Sequence, residues 1–301
     1  MRSEKMRPYE FMVYPTLQTA WIEGKGILLF AGLFLVEFGA GLFVAASILN
    51  ALWAQTAGWL ISGALGGGCH FLFLGHPLRI YRAIRRPGKA WISRGLLIIS
   101  LFQLFGFIHL ALSYFSTPVP WVMIVANILA VATILYGGFE IADVKTIPTW
   151  HSGFLPIQML ARSFFIGLAI VLIVNLLMRR PTPGIDSEQW LLVILLINIC
   201  LFVFALISLG LEEGKQKLSL RMMARGDLKW IFWPWIVGGG MIVPLIVALY
   251  GLAGGEREMI VFMLLAAVVL QVIGDPLLRY GLMRSGYFPG LFPRMPTDFR
   301  K

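Results

Sequence analysis

Two stretches without a charge constrain this chain more than any motif does: residues 38–78 and 95–139 hold no Lys, Arg, Asp or Glu. A membrane-spanning helix takes about 20 predominantly apolar residues, so each stretch is long enough for more than one crossing. Composition agrees, with 58% hydrophobic and only 13% charged residues among 301 and a mean hydropathy of +0.82. That is far from the usage of a soluble globular domain. Backbone groups inside a bilayer must bond one another, and unbroken apolar runs satisfy that demand as helices rather than as the alternating strands of a barrel.

Reading the apolar runs against turn signals predicts an all-α polytopic membrane protein with a single domain over residues 1–301. It has eight transmembrane helices, at about 26–49, 58–79, 93–114, 119–140, 155–178, 189–210, 231–252 and 259–282,. The expected architecture is two packed four-helix bundles. Small residues such as Gly39 and Gly41, or Gly66, Gly67 and Gly68, would let helices approach closely,. The first 25 residues lack the short apolar core and cleavage site of a signal peptide, so the first helix is expected to be retained as an anchor,. Cys69 and Cys200 fall inside spans with no second cysteine nearby, which suggests small core residues rather than a disulfide or metal motif,.

An even number of crossings puts both termini on one side. That side then receives all of the 25 Lys and Arg residues except Arg179, Arg180 and Arg257. Cytoplasmic loops carry the excess of cations, so both termini are expected in the cytoplasm and the chain in the cytoplasmic (inner) membrane. The net charge of +10 follows from this topology and from acidic lipid head groups, and not from nucleic acid,.

Charges inside a span are costly, so each needs a partner or a task. Glu37 stands about halfway along the first helix, either as a protonated acid bonded to a neighbour or as a proton relay at a ligand site. Asp275 and Arg279 stand four apart on one helix face and are expected to form a structural ion pair,. Glu140 and Asp143 end the fourth helix at the interface, close to Tyr136. His76 and Arg79 lie one turn apart at the inner membrane boundary. There they would either bond a carbonyl and move protons or simply anchor to lipid phosphate,.

Haem is not expected, because axial histidines must face each other from neighbouring helices at similar depth. His70 lies mid-span, His109 near the outer end of its helix, and His76 and His151 near the inner face; His70 and His109 read as hydrogen-bonded core residues. No metal site and no soluble-enzyme motif is visible: the chain has no phosphate-binding G-x-x-x-x-G-K-S/T, no C-x-x-C, no H-E-x-x-H and no nucleophile elbow,.

The segment G-H-P-L-R-I-Y-R-A-I-R-R-P-G-K-A-W-I-S-R-G, residues 75–95, resembles the Arg-rich segment of the NrfD/PsrC family, the membrane subunits typified by polysulfide reductase. The likeness recurs in order, in F-L-V-E-F-G-A-G-L-F, in Y-G-G-F-E-I-A-D-V-K-T-I-P-T-W-H-S-G-F-L-P, in F-W-P-W-I-V-G-G-G-M-I-V-P-L and in G-D-P-L-L-R-Y-G-L-M-R-S-G-Y.

This resemblance implies a subunit without a redox centre of its own. Such a subunit binds quinone or quinol, menaquinone or ubiquinone, and exchanges electrons with an iron-sulfur partner subunit and, through it, a molybdopterin-type catalytic subunit. Tyr136 matches the family's quinone-contacting tyrosine; His76, Arg79 and Arg94 would complete the site, with Glu37 and Glu140 as proton-transfer groups. Arg82, Arg85, Arg86, Lys89, Trp150 and His151 would form the docking surface for the partner. Two departures stand out: Leu29 and Gly32 occupy positions that are polar in the polysulfide reductase branch, and Glu37 stands where the family usually has Gly. In the best-known relatives this end faces the periplasm, whereas the charge distribution here puts it, and the partner, in the cytoplasm. A secondary transporter with a polar path around Glu37 and Pro/Gly interruptions between Gly238 and Pro244 is the alternative from a different class,.

Overall fold

A computed structural model describes residues 16–76, 88, 90–180, 182, 186–211, 216–254 and 256–289. Among these the chain is helical, apart from one two-stranded antiparallel sheet of β1 (Thr16–Leu17) and β2 (Tyr287–Phe288). The helices are α1 (Gly26–Ile48), α2 (Leu52–Phe73), α3 (Trp91–Phe115), α4 (Pro120–Ala142), α5 (Leu155–Leu177), α6 (Ser187–Leu211), α7 (Gln216–Arg225), α8 (Lys229–Leu252) and α9 (Arg257–Arg284). Proline at the first or second position starts α4 and α5, where its missing N–H and fixed φ suit the first helical turn,.

Seven of these helices, α1, α3, α4, α5, α6, α8 and α9, are long and apolar enough to cross a membrane. Their outward faces are greasy, with Leu104, Phe107, Ile124, Ile128 and Phe262 all exposed, as expected where the solvent is lipid. Cys200 is among the exposed residues, so it is not the core residue expected of it.

The expected second span is the exception. It runs from Leu52 to Phe73, several residues earlier than the apolar run 58–79 suggested, and consists of Leu52–Leu60, a wide π segment Ile61–Gly67, and Gly68–Phe73. Gln55, Thr56 and five glycines dilute its apolarity, and the reason lies in packing. A side chain at Gly39 of α1 would strike the backbone of Gly58 and Ser62, and one at Gly66 would strike Val36. The glycines thus bring α1 and α2 to backbone contact, the use of small residues that lipid-embedded helices favour. Gly41 of α1 meets the Ser163 backbone of α5 in the same way.

Helix α1 packs against α2, α4 and α5, and α3 against α4; α5 continues to α6 and α9, and α8 lies against α9. Two buried neutral pairs fasten neighbours. His109 Nε2 and Gln55 Oε1 stand 2.7 Å apart, and Asn198 Nδ2 donates to Gln271 Oε1 at 3.1 Å. His70 is half-buried and its Nδ1 lies 3.0 Å from the Gly66 carbonyl.

Helix α7 lies in a connection that the sequence reads as a loop. Met223 is wholly buried, Leu220 and Ala224 pack with it, and Ser219 Oγ donates to the Ser285 carbonyl at 2.7 Å. At the same end β1 pairs with β2, Thr16 opposite Phe288, and Arg284 is ion-paired with Glu23.

Candidate functional site

The site begins with Glu37, which α1 carries into the interior at 1% exposure. Its Oε2 is ion-paired with Arg279 Nη1 of α9. Arg279 also holds Asp275 of its own helix through Nε, at 2.9 Å, and donates from Nη2 to Ser163 Oγ of α5 at 3.1 Å. Asp275 in turn receives Arg162 of α5, whose Nε lies 2.5 Å from Oδ1. Arg162 also stacks its guanidinium 3.9 Å over the Phe202 ring of α6.

Four charges from three helices therefore form one buried network, two acids against two bases. Desolvating any of them alone would be costly, and alternation of sign with additional hydrogen bonds is what makes the group tolerable. The expected pair Asp275–Arg279 is present as half of this larger network. Arg162 is the residue that sequence reading misses. Counted among the cations of the nearer side, it stands two turns into α5 and is carried into the interior at 4% exposure.

The second oxygen of Glu37 leads toward α4. A side chain added at Gly137 would overlap Glu37 Oε1, so only glycine admits the carboxyl there. Tyr136 immediately precedes Gly137, and Glu140 stands four residues on from Tyr136, so the two share a face of α4,. Glu140 is close enough to both the Tyr136 hydroxyl and Glu37 to interact with them electrostatically. Glu37 Oε1 and Glu140 Oε2 are buried and lack a hydrogen-bond partner. The Tyr136 ring, itself buried, packs where Gly95 of α3 leaves out a side chain. Next to Gly95, Arg94 lies 4.6 Å over the Trp91 ring, which stacks on Phe139 of α4 at 4.9 Å. Of the expected quinone and proton groups, the structure thus places Arg94, Tyr136 and Glu140 toward one end of α3 and α4, with Glu37 about halfway along α1.

His76 is exposed just beyond the end of α2. Arg79, Arg82, Arg85, Arg86 and Lys89 lie outside the described residues. His151 is exposed, with Nδ1 2.8 Å from the Ala142 carbonyl. Trp150 corrects a sequence expectation. It is wholly buried, packs 5.1 Å from Trp21, and donates from Nε1 to the Leu282 carbonyl at 3.2 Å. It ties the α4–α5 connection to the end of α9 and has no face to offer a partner.

Two cavities flank Arg279. The larger, open to the outside, is lined by Thr149, Ser152, Gln158 and Arg162 with Leu155, Met159, Ala205, Leu278 and Leu282. The smaller is lined by Phe30, Leu33, Phe34, Ile141 and Glu37. Arg279, Met159 and Leu282 border both. Tyr136 lines neither.

Residues 26–290 match the family described as polysulphide reductase, NrfD. The chain is also similar to the protein NrfD of Escherichia coli strain K12, with 23% identity over 297 residues, covering 84% of this chain and 92% of that relative.

Proposed function

The chain belongs to the polysulphide reductase NrfD family, and from that premise we propose that it is the membrane subunit through which a quinone-linked oxidoreductase exchanges electrons and protons with the quinone pool. The observation that carries this reading is the run Tyr136, Glu140, Glu37, in which a buried hydroxyl stands beside two carboxyl oxygens without partners. Such a donor set fits the ligand. The Tyr136 hydroxyl can donate to a quinone carbonyl, and Glu140 Oε2 can accept from a quinol hydroxyl. A bound quinone or quinol, menaquinone or ubiquinone, supplies a carrier of two electrons and two protons.

Glu140 is then the first proton acceptor and Glu37 the second, with Gly137 leaving room between them. Arg279 fixes the Glu37 carboxyl and balances its charge, so a proton can pass without leaving a bare anion in the membrane interior. Arg94, held over Trp91, adds a cation at the same end. The partner is an iron-sulfur subunit, serving a molybdopterin-type catalytic subunit, and it docks on the basic segment from Arg82 to Lys89 and on exposed His151. The charge asymmetry of the loops puts this face in the cytoplasm. Arg162 and Arg279 are interior residues and leave that count, but the opposite side still holds only Arg179, Arg180 and Arg257.

In this reading α2 is the eighth crossing. Its support is the pairing of β1 with β2, since a chain whose two ends meet on one side crosses an even number of times. Helices α1 to α4 form one bundle and α5, α6, α8 and α9 the other. Glu37 offers no route for a transported solute, being buried and held by Arg279.

The test is Tyr136→Phe in the assembled complex. Quinol or quinone turnover is expected to fall roughly 10²-fold or more, with the catalytic partner's activity toward artificial dyes unchanged. Loss of both activities, or of neither, removes Tyr136 from the site.

A further inference from the structure

The larger cavity is lined by two buried polar groups with nothing to receive them. Thr149 Oγ1 and Gln158 Nε2 lack a hydrogen-bond partner, while Arg162, which lines the same space, has its Nη2 2.5 Å from Asp275 Oδ1. Thr149 comes from the connection after α4. Gln158 and Arg162 stand four apart on α5 and share a face,. Buried polar groups left unpaired are costly and rare, and two potential donors around one cavity call for an acceptor.

The charges narrow the class of molecule. Arg162 and Arg279 border the cavity, but Asp275 and Glu37 neutralise them. The space therefore offers hydrogen bonds without net charge, against walls of Leu155, Met159, Ala205, Leu278 and Leu282. An oxyanion would lack a free cation there, and water alone would wet mostly apolar walls. A neutral molecule with a carbonyl and an apolar body satisfies both, since ligand pockets are mostly apolar with a few converging polar groups,.

We propose that this cavity is a second quinone site, distinct from Tyr136, in which a headgroup carbonyl accepts hydrogen bonds from Thr149 and Gln158 beside the paired Arg162. The proposal rests on the reading that the chain serves a quinone. The Tyr136 region lies by Glu37 and the cavity by Arg279, so the ion pair between those two residues connects the sites electrostatically.

A photoreactive azidoquinone, applied to the purified full-length chain and followed by mapping of the modified peptides, tests both claims. Label is expected at two places, around Tyr136 in α4 and between Thr149 and Arg162. The double variant Thr149→Val with Gln158→Leu, close in shape to the original, should lower the second label roughly tenfold or more, the loss of one to two hydrogen bonds. Label at Tyr136 persists in that variant and reports that the fold is intact. Label confined to α4 would overturn the second site and leave the quinone function standing. Label between Thr149 and Arg162 that survives the double variant, or that disappears in Tyr136→Phe, would also overturn it. Label at neither place removes both readings.

Discussion

Helix α9 carries two buried polar contacts one turn apart, and they are built in opposite ways. Gln271 meets Asn198 as a neutral amide pair between two helices. Asp275 and Arg279, just beyond it, join a charged network that needs α1, α5 and α9 together. Both contacts are almost fully buried, so burial alone does not tell a fastening from a site. What separates them is what lies next to each. The amide pair borders neither cavity, whereas the charged network borders both and ends at a carboxyl oxygen with no partner.

The sharpest way to break this contrast is Arg162→Leu. It leaves Asp275 short of a cation in the interior, and removal of one partner from a buried pair costs about 3–5 kcal/mol. The variant chain should unfold far more readily in detergent, read as a large drop in thermal midpoint. If it is as stable as the original, the network is not a coupled unit. Next comes Gly137→Ala. Its methyl group takes the space of Glu37 Oε1, and overpacking of this kind costs roughly 1–3 kcal/mol. Quinone turnover should fall more than stability does, which distinguishes a blocked proton route from a general loss of fold.

A double-mutant cycle on Asn198 and Gln271 examines the other arm. Hydrogen bonds between membrane helices couple by about 0.6 kcal/mol and reach about 1.7 at most, and a value in that range with unchanged turnover marks the pair as a fastening. The smallest effect belongs to Arg284→Ala. Its ion pair with Glu23 is partly exposed, so the expected loss is no more than about 1 kcal/mol and should vanish in high salt.

Much of this contrast was legible before any coordinates. The charge-free stretches announce the spans, because apolarity over a bilayer's width is a one-dimensional signal. The i, i+4 spacing announces Asp275–Arg279 for the same reason. Arg162 was not legible, since its partner Asp275 sits on α9 and a long cation within two turns of a helix start can reach the interface as readily as the interior,. Trp150 was misread because aromatic residues favour interfaces; its indole instead finds the Leu282 carbonyl, far along the chain. Helix α2 was placed too late because packing against α1, rather than contact with lipid, set its composition.

The two-residue sheet that joins the ends of the described chain has a mechanical meaning. Helices α1 and α9 are clasped at the membrane surface by β1 and β2 and bolted in the interior by Glu37 and Arg279. Phe30 and Tyr280 meet edge to face between these two points, 5.8 Å apart. Any sliding of α9 along α1 strains clasp and bolt together, so a probe pair on residues 16 and 288 would act as a remote gauge of the buried ion pair.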